Sequence, residues 1–425
     1  MINRKVAPVL GKVSEIKLRE PEKIILANGV PLYLINAGEQ DVMKIEVIFK
    51  AGASENKNFL ISGAVNEMLD EGTKHHTSVE IAGEFEFYGA MLHTECTADV
   101  ASVSLFTINK FLEKVFPLFH EVISEPVFPE KEIETFKVQN KQRLQVNNNK
   151  VDYVARKMFN QKLFGQDSAY GYYQSDKDYD SIGKKSLEAF HRSNYLNGIF
   201  AIIVAGRIGD STLELIRQFF DKAPTTESFH TPTDSQGSES YQQAEKYYEK
   251  KKDAVQSGLR IGRKLFNRTH PDYKGLSILN TILGGYFGSR LMSNIREDKG
   301  YTYGIGSGLV SLHQGGYFFI TTEVGTEVRE AAFKEIYFEI ERLRNELVSE
   351  EELNLVRNYL TGSFQRSIDG PFALADRLKS ILTYNMGYEY FSDYIHTVNT
   401  ISSKELLNLA QKYLAPERMT EVIIG

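Results

Sequence analysis

IGKKSLEAFHRSNYLNGIFAIIVAG, residues 182–206, aligns without a gap with ISSKELLNLAQKYLAPERMTEVIIG, residues 401–425, at an offset of 219. Each reads as a short helix running into a β-branched strand that ends in glycine, at Gly206 and Gly425. Upstream, FPEKEIETFKVQNKQRL (128–144) parallels VSEEELNLVRNYLTGSF (348–364) at an offset of 220, and both read as helices with acidic starts. A repeat of this length is far longer than a solenoid unit and marks a duplicated domain.

The length agrees. A chain of 425 residues is too long for one ordinary core and suits two domains of about 200 residues each. The boundary falls in FHTPTDSQGSESYQQAEK, residues 229–246, a polar stretch holding Pro232 and Gly237. The expected division is an N-terminal domain over 1–228, this linker, and a C-terminal domain over 247–425. In the first half, VMKIEVIFKAG (42–52) alternates Met43, Ile45, Val47 and Phe49 against Lys44, Glu46 and Lys50, the pattern of a half-buried antiparallel strand. A second strand follows in TADVASVSLFTI (97–108), then a helix in NKFLEKVFPLFHEVIS (109–124). Strands followed by helices, twice over, predict an α+β fold. Each domain is expected to be a mostly antiparallel sheet with helices packed on one face.

Composition narrows the function. Hydrophobic residues make up 42% of the chain and aromatics 12%, enough for packed cores. A net charge of −6 and a pI near 5.9 argue against nucleic acid or an anionic membrane as partner. Cys96 is the single cysteine, which excludes an intrachain disulfide and a multi-thiolate metal site. No apolar run is long enough to span a membrane. The N-terminal stretch lacks a signal-length apolar run, so the expected compartment is the cytoplasm, with the periplasm left open.

Two segments carry possible chemistry. ISGAVNEMLDEGT (61–73) reads as an amphipathic helix that buries Ile61, Ala64, Val65, Met68 and Leu69. Its other face presents Gly63, Asn66, Glu67 and Asp70. The second segment is NTILGGYFGSRLMSNIREDKGYTYGIGSG (280–308). A helix runs into a bend at Gly284-Gly285, and a second helix spans about Ser289 to Glu297. A strand then places Tyr301, Tyr303 and Ile305 on one face. Without the G-x-G-x-x-G pattern or a P-loop lysine, the Gly-rich stretch is not a nucleotide loop.

This second segment resembles the C-terminal signature of the pitrilysin–insulinase peptidases, the inverzincins. That signature is a Gly-Gly loop, Ser-Arg-Leu, and an Arg seven residues before a Tyr. Here these are Gly284-Gly285, Ser289-Arg290-Leu291, Arg296 and Tyr303. LANGVPLYLI (26–35) and FKAGASENKNFLISGAVNEMLDEGT (49–73) resemble the family's opening strands and the helix that carries its zinc motif. The resemblance implies H-x-x-E-H at residues 63–67, with two His binding zinc and the Glu acting as general base. A third ligand, a Glu, would come from a later helix. In this chain both His positions are lost, to Gly63 and Glu67, and the base is Asn66, which has no carboxylate to titrate. The later helix, FKVQNKQRLQVNNNKV (136–151), contains no Asp or Glu.

The resemblance therefore implies a subunit without its own zinc, the non-catalytic half of a two-chain zinc endopeptidase. Zinc is expected in a homologous partner chain, no cofactor in this one, and peptides or unfolded segments as substrates. Arg296 and Tyr303 would reach the partner's zinc site in trans, the Arg holding a substrate carbonyl and the Tyr donating to the developing oxyanion. Gly284 and Gly285 would line the chamber. Isolated, the chain could pair with itself through the surface meant for its partner. Two other readings stay open: a displaced metal site drawing on His75, His76 or His93, and a scaffold of the same fold that has left proteolysis.

Overall fold

The computed structural model describes residues 20–222 and 244–425. The first half opens with β1 (Glu22–Ile25), β2 (Pro31–Asn36) and β3 (Val42–Phe49), then α1 (Phe59–Glu67) and α2 (Ser78–Phe87). It continues through β4 (Met91–Cys96), β5 (Ala101–Ile108), α3 (Leu112–Ser124), α4 (Glu130–Asn148) and α5 (Val151–Phe164). It ends with α6 (Asp176–Asp180), α7 (Lys184–His191), β6 (Ile199–Gly206) and α8 (Asp210–Phe220). The second half runs β7 (Glu245–Glu249), β8 (Gln256–Leu265), α9 (Tyr273–Asn280), β9 (Ile305–Leu312), β10 (Gly315–Gly325) and α10 (Arg329–Asn345). It closes with α11 (Glu350–Arg366), α12 (Pro371–Leu382), α13 (Glu389–Thr400), α14 (Ser403–Tyr413) and β11 (Thr420–Ile424). Residues 229–243 of the expected linker lie outside the described residues, and Glu245 and Lys246 already belong to β7.

The strand orders are β1-β2-β6-β3-β5-β4 and β7-β11-β8-β10-β9. In both sheets one pair is parallel, β2 with β6 and β7 with β11, and every other pairing is antiparallel. The fold is α+β and duplicated, as the sequence repeat predicts. The repeated terminal glycines have a local reason. Gly206 and Gly425 sit at φ +127° and +142°, a conformation costly for any side chain, and a Cβ on Gly206 would meet the Val42 carbonyl oxygen at 2.2 Å.

Each sheet buries one face against helices of its own half. Met43, Ile45, Val47 and Phe49 of β3 join Ala64, Val65, Phe116 and Phe119 in the first core. Leu259, Ile261, Phe318 and Ile320 join helices α9, α10 and α14 in the second.

The opposite faces are covered by exchange. α5, from the first half, lays Val151, Ala155, Phe159 and Leu163 on Val422 and Ile424 of the second sheet. These four residues recur every fourth position, the stripe of a helix with one buried face. α12, from the second half, lays Leu374, Ala375, Leu378 and Ile381 on Ile35, Ile48, Ala201 and Ile203 of the first sheet. α5 and α12 occupy equivalent places in the repeat, so the two halves trade the same helix. Lys44 and Glu46 show the consequence. The alternation of β3 placed them on a solvent face, yet both are buried beneath α12, where Lys44 Nζ pairs with Glu46 at 2.8 Å and Lys379 Nζ pairs with it at 2.7 Å.

Candidate functional site

The helix that would carry the zinc motif is shorter than the 61–73 pattern suggests. α1 starts at an Asn58 cap, whose side chain accepts from the Leu60 N–H, and stops at Glu67. Beyond it the backbone turns to other partners: Val127 N–H donates to the Gly72 carbonyl at 3.0 Å and Thr73 N–H to the His76 carbonyl at 2.8 Å. Ile61, Ala64, Val65, Met68 and Leu69 are all buried, as the spacing predicts.

The polar face divides. Gly63 and Glu67, one turn apart, line a cavity of about 250 Å³ between α1 and α4. Asn66 does not join them. It is turned into the core, where its Nδ2 donates to Tyr195 Oη at 2.9 Å and lies 3.5 Å from the Ser102 carbonyl. Tyr195 is itself fully buried, its ring 4.6 Å from that of Phe49. The Asn66–Tyr195 bond is therefore part of the core. We expect Tyr195→Phe to leave the Asn66 amide with only the long Ser102 contact and to cost about 1–3 kcal/mol, read from the urea midpoint. An unchanged midpoint would show that water reaches the amide.

From α4 the same cavity receives Asn140, Arg143, Leu144 and Asn147. Arg143 approaches Glu67 at 3.6 Å. Where the family resemblance implies a third carboxylate, the facing helix offers a guanidinium, amides and apolar groups. Gly63 has no donor, the Asn66 amide points away, and the one carboxylate, Glu67, faces a fixed cation. These residues do not fit a zinc ion. Arg143 and Tyr195 were not singled out in the sequence, although Arg143 lies in the helix already noted for its missing acids.

Of the three candidate histidines, two face carboxylates. His76 Nδ1 lies 3.0 Å from Glu121 Oε1, on α3, and His75 Nε2 lies 3.6 Å from Glu125, the residue that caps the end of α3. His93 sits exposed on β4. No group of three or more His, Cys, Asp or Glu able to hold a metal occurs among the described residues. Burial pushes the Cys96 thiol up to about 11, so it stays protonated at neutral pH.

The Gly-rich segment is built differently from two plain helices. α9 passes into a π-helical turn over Thr281–Gly285, and a second π-helical stretch spans Met292–Asp298. Gly284 is buried. A Cβ there would meet Ser307 N and Oγ at 2.7 Å and Leu291 Cδ1 at 2.9 Å, so β9 packs directly on its backbone. Gly285, beside it, is exposed. Arg290 is a structural clamp, making two hydrogen bonds to Glu352 at 2.9 and 2.8 Å. Arg296 lies in the last turn of the π-helical stretch and stacks over the Phe287 ring at 4.7 Å. It has no carboxylate partner among the described residues.

Tyr303 lies before β9, not in it, because the strand begins at Ile305. Its side chain does not share the buried side of Ile305. It is 95% exposed, whereas Tyr301 packs against the second core. The loop that presents Tyr303 is fixed by Thr302, whose Oγ1 lies 2.7 Å from the Glu323 carbonyl and 2.9 Å from that of Gly304, and accepts from the Gly304 N–H at 3.1 Å. An ordered loop thus holds a phenol out in solvent, away from any packing role.

Comparisons with known proteins fit this architecture. Residues 33–170 match the family profile described as Insulinase (Peptidase family M16). Residues 181–360 match the one described as Peptidase M16 inactive domain. Among curated proteins, the chain is 21% identical over 388 residues to "Uncharacterized zinc protease YmxG" of Bacillus subtilis, covering 91% of this chain and 93% of that protein. It is 22% identical to "Non-peptidase homolog YmxG" of Helicobacter pylori, covering 90% and 88%. Among solved structures, the M16 inactive domain protein from Pseudomonas fluorescens superposes with a TM-score of 0.83 at 25% identity, covering 95% of this chain and 98% of that one. A protease from Helicobacter pylori shares the fold with a TM-score of 0.84 at 19% identity. A duplicated α+β chain that two profiles of the family match over residues 33–170 and 181–360, with solved structures of the same fold covering 95% and 96% of it, belongs to peptidase family M16, the insulinase family.

Proposed function

We propose that this chain is the non-catalytic subunit of a two-chain zinc endopeptidase, supplying Arg296 and Tyr303 to the zinc site of a homologous partner. The observation that carries the reading is an asymmetry. The zinc-motif positions are filled by residues that cannot hold the ion. The Arg/Tyr pair keeps an exposed phenol on a fixed loop and a guanidinium with no counter-ion among the described residues. A Tyr hydroxyl and an Arg guanidinium are donors suited to a peptide carbonyl as negative charge builds on its oxygen. Peptides or unfolded segments are the substrates, and the two chains enclose them. Gly285 lies at the surface of this region, and Gly284 supports it from beneath.

The reading is supported by relatives whose names record lost activity, the Helicobacter pylori protein above and "Probable inactive metalloprotease YmfF" of Bacillus subtilis, 22% identical over 394 residues. The test is co-expression with an M16 chain of the same genome that retains H-x-x-E-H. Neither chain alone should hydrolyse an unstructured fluorogenic peptide, and the co-purified pair should. Peptidase activity with stoichiometric zinc in the isolated chain would overturn the proposal.

A further inference from the structure

At the root of the exchanged helix α12, a cavity of about 220 Å³ opens between α9, α11, α12 and α13. It contains two guanidiniums, those of Arg268 and Arg377. Arg268 donates from Nη1 to the Ser380 carbonyl at 2.8 Å and lies over the Tyr384 ring at 4.8 Å, while its buried Nε has no hydrogen-bond partner. Arg377 donates from Nε to the Ser367 carbonyl at 3.4 Å. Among the described residues neither forms an ion pair. The acids nearby are engaged elsewhere: Asp376 pairs with Lys44 at 2.7 Å and Asp393 with Lys274 at 2.9 Å. Burial, and then the charge of Arg268, lowers the pKa of Arg377 below the usual guanidinium value. Two cations thus share one cavity wall, partly out of water, with no ion pair of their own among the described residues and only the Asp376 carboxylate, already paired with Lys44, acting on Arg377, an arrangement that is unfavourable by itself.

The remaining wall offers donors. Tyr273, Tyr390, Ser277 and Ser363, each with a hydroxyl, line the cavity. Burial pushes Tyr390 up to about 12, so at neutral pH it remains an O–H donor. Guanidiniums bind oxyanions through paired N–H groups, and phosphate offers more acceptor oxygens than a carboxylate does. We propose that this cavity binds a small phosphate-bearing anion held between Arg268 and Arg377. The bound anion neutralises the two charges where α12 leaves its own half, and so secures the helix that covers the first sheet. The proposal is independent of any pairing with a zinc-bearing chain.

The full chain should be titrated with inorganic phosphate, phenyl phosphate and acetate at matched ionic strength. The readouts are ³¹P line broadening and thermal unfolding. Both phosphates should bind saturably, raising Tm by roughly 1–2 °C at ten times the dissociation constant. Tighter binding of phenyl phosphate would identify an organic phosphate as the ligand, and equal binding would identify phosphate itself. Arg377→Gln should weaken binding about ten-fold or more, the loss of one charge-assisted contact. Arg268→Gln should do the same, and Arg377→Gln carries the test if removal of the Ser380 contact prevents folding. Absence of saturable binding, equal affinity for acetate, or equal affinity in Arg377→Gln overturns the proposal.

Discussion

In the paired enzyme, Tyr303→Phe is expected to lower kcat by about 10²–10³-fold, the effect of deleting one preorganised donor to a developing oxyanion. The structure makes this substitution unusually clean. The side chain is 95% exposed and its loop is held by Thr302, so losing the hydroxyl disturbs no packing. Stability should stay within about 0.5 kcal/mol of the parent, and so should association with the partner. KM should change little, because the donor acts on charge present only in the transition state. Arg296→Ala should also reduce kcat/KM, with part of the loss in KM, since a group that holds the substrate carbonyl contributes before the chemical step. Steady-state kinetics on a fluorogenic peptide, with the zinc content of the pair measured in parallel, reads both. A Tyr303→Phe pair with kcat within two-fold of the parent would make the phenol a relic and leave the in-trans assignment without its main residue.

The contrast between this loop and the motif helix shows what the sequence could and could not reveal. The repeat was legible because it rests on local patterns: a helix and a Gly-terminated strand, written twice. Loss of the zinc ligands was legible because it needs only residue identity. The direction of Asn66 was not, since its placement depends on Tyr195, 129 positions away. Nor was the stop of α1 at Glu67, because residues 72–73 are claimed by backbone partners at His76 and Val127. Tyr303 read as one of a row of strand aromatics, but the strand starts two residues later and the loop before it turns the ring outward. Helix exchange left the faintest trace. An amphipathic helix announces that one face is buried without naming the sheet that buries it. The charges of β3 pointed the other way, to a face left in solvent, whereas Lys44 and Glu46 are buried.

Those charges set the second large effect. Glu46 is 1% exposed, and its carboxylate is held by Lys44 at 2.8 Å and Lys379 at 2.7 Å. Lys379 also reaches Glu95 at 2.6 Å, and Lys44 reaches Asp376 at 2.7 Å. Burial alone would raise the pKa of Glu46, but the two ammonium groups outweigh it and hold the carboxyl below its ordinary 4.5. A depressed folded-state pKa stabilises the fold at neutral pH, and that contribution is lost as pH falls below 4.5 through the folded value. The seam between α12 and the first sheet should therefore be an early region to open in acid, seen as faster amide exchange along β3 and α12. Lys44→Met with Lys379→Met removes both cations and strands a buried carboxylate, at a cost of about 3–5 kcal/mol. Glu95 and Asp376 have side chains 48% and 66% exposed and can turn to water, so the penalty centres on Glu46. With burial now unopposed, the pKa of Glu46 rises, and the double variant should gain stability as pH is lowered from 7 toward 5, a window in which Glu46 leaves the parent's stability unchanged. Adding Glu46→Leu should recover most of the loss, because an apolar replacement of a whole buried ion cluster avoids desolvation altogether. If the double variant kept the parent's denaturation midpoint and acid response, the network would be solvated in solution, and α12 would be held to the first sheet by its apolar stripe alone.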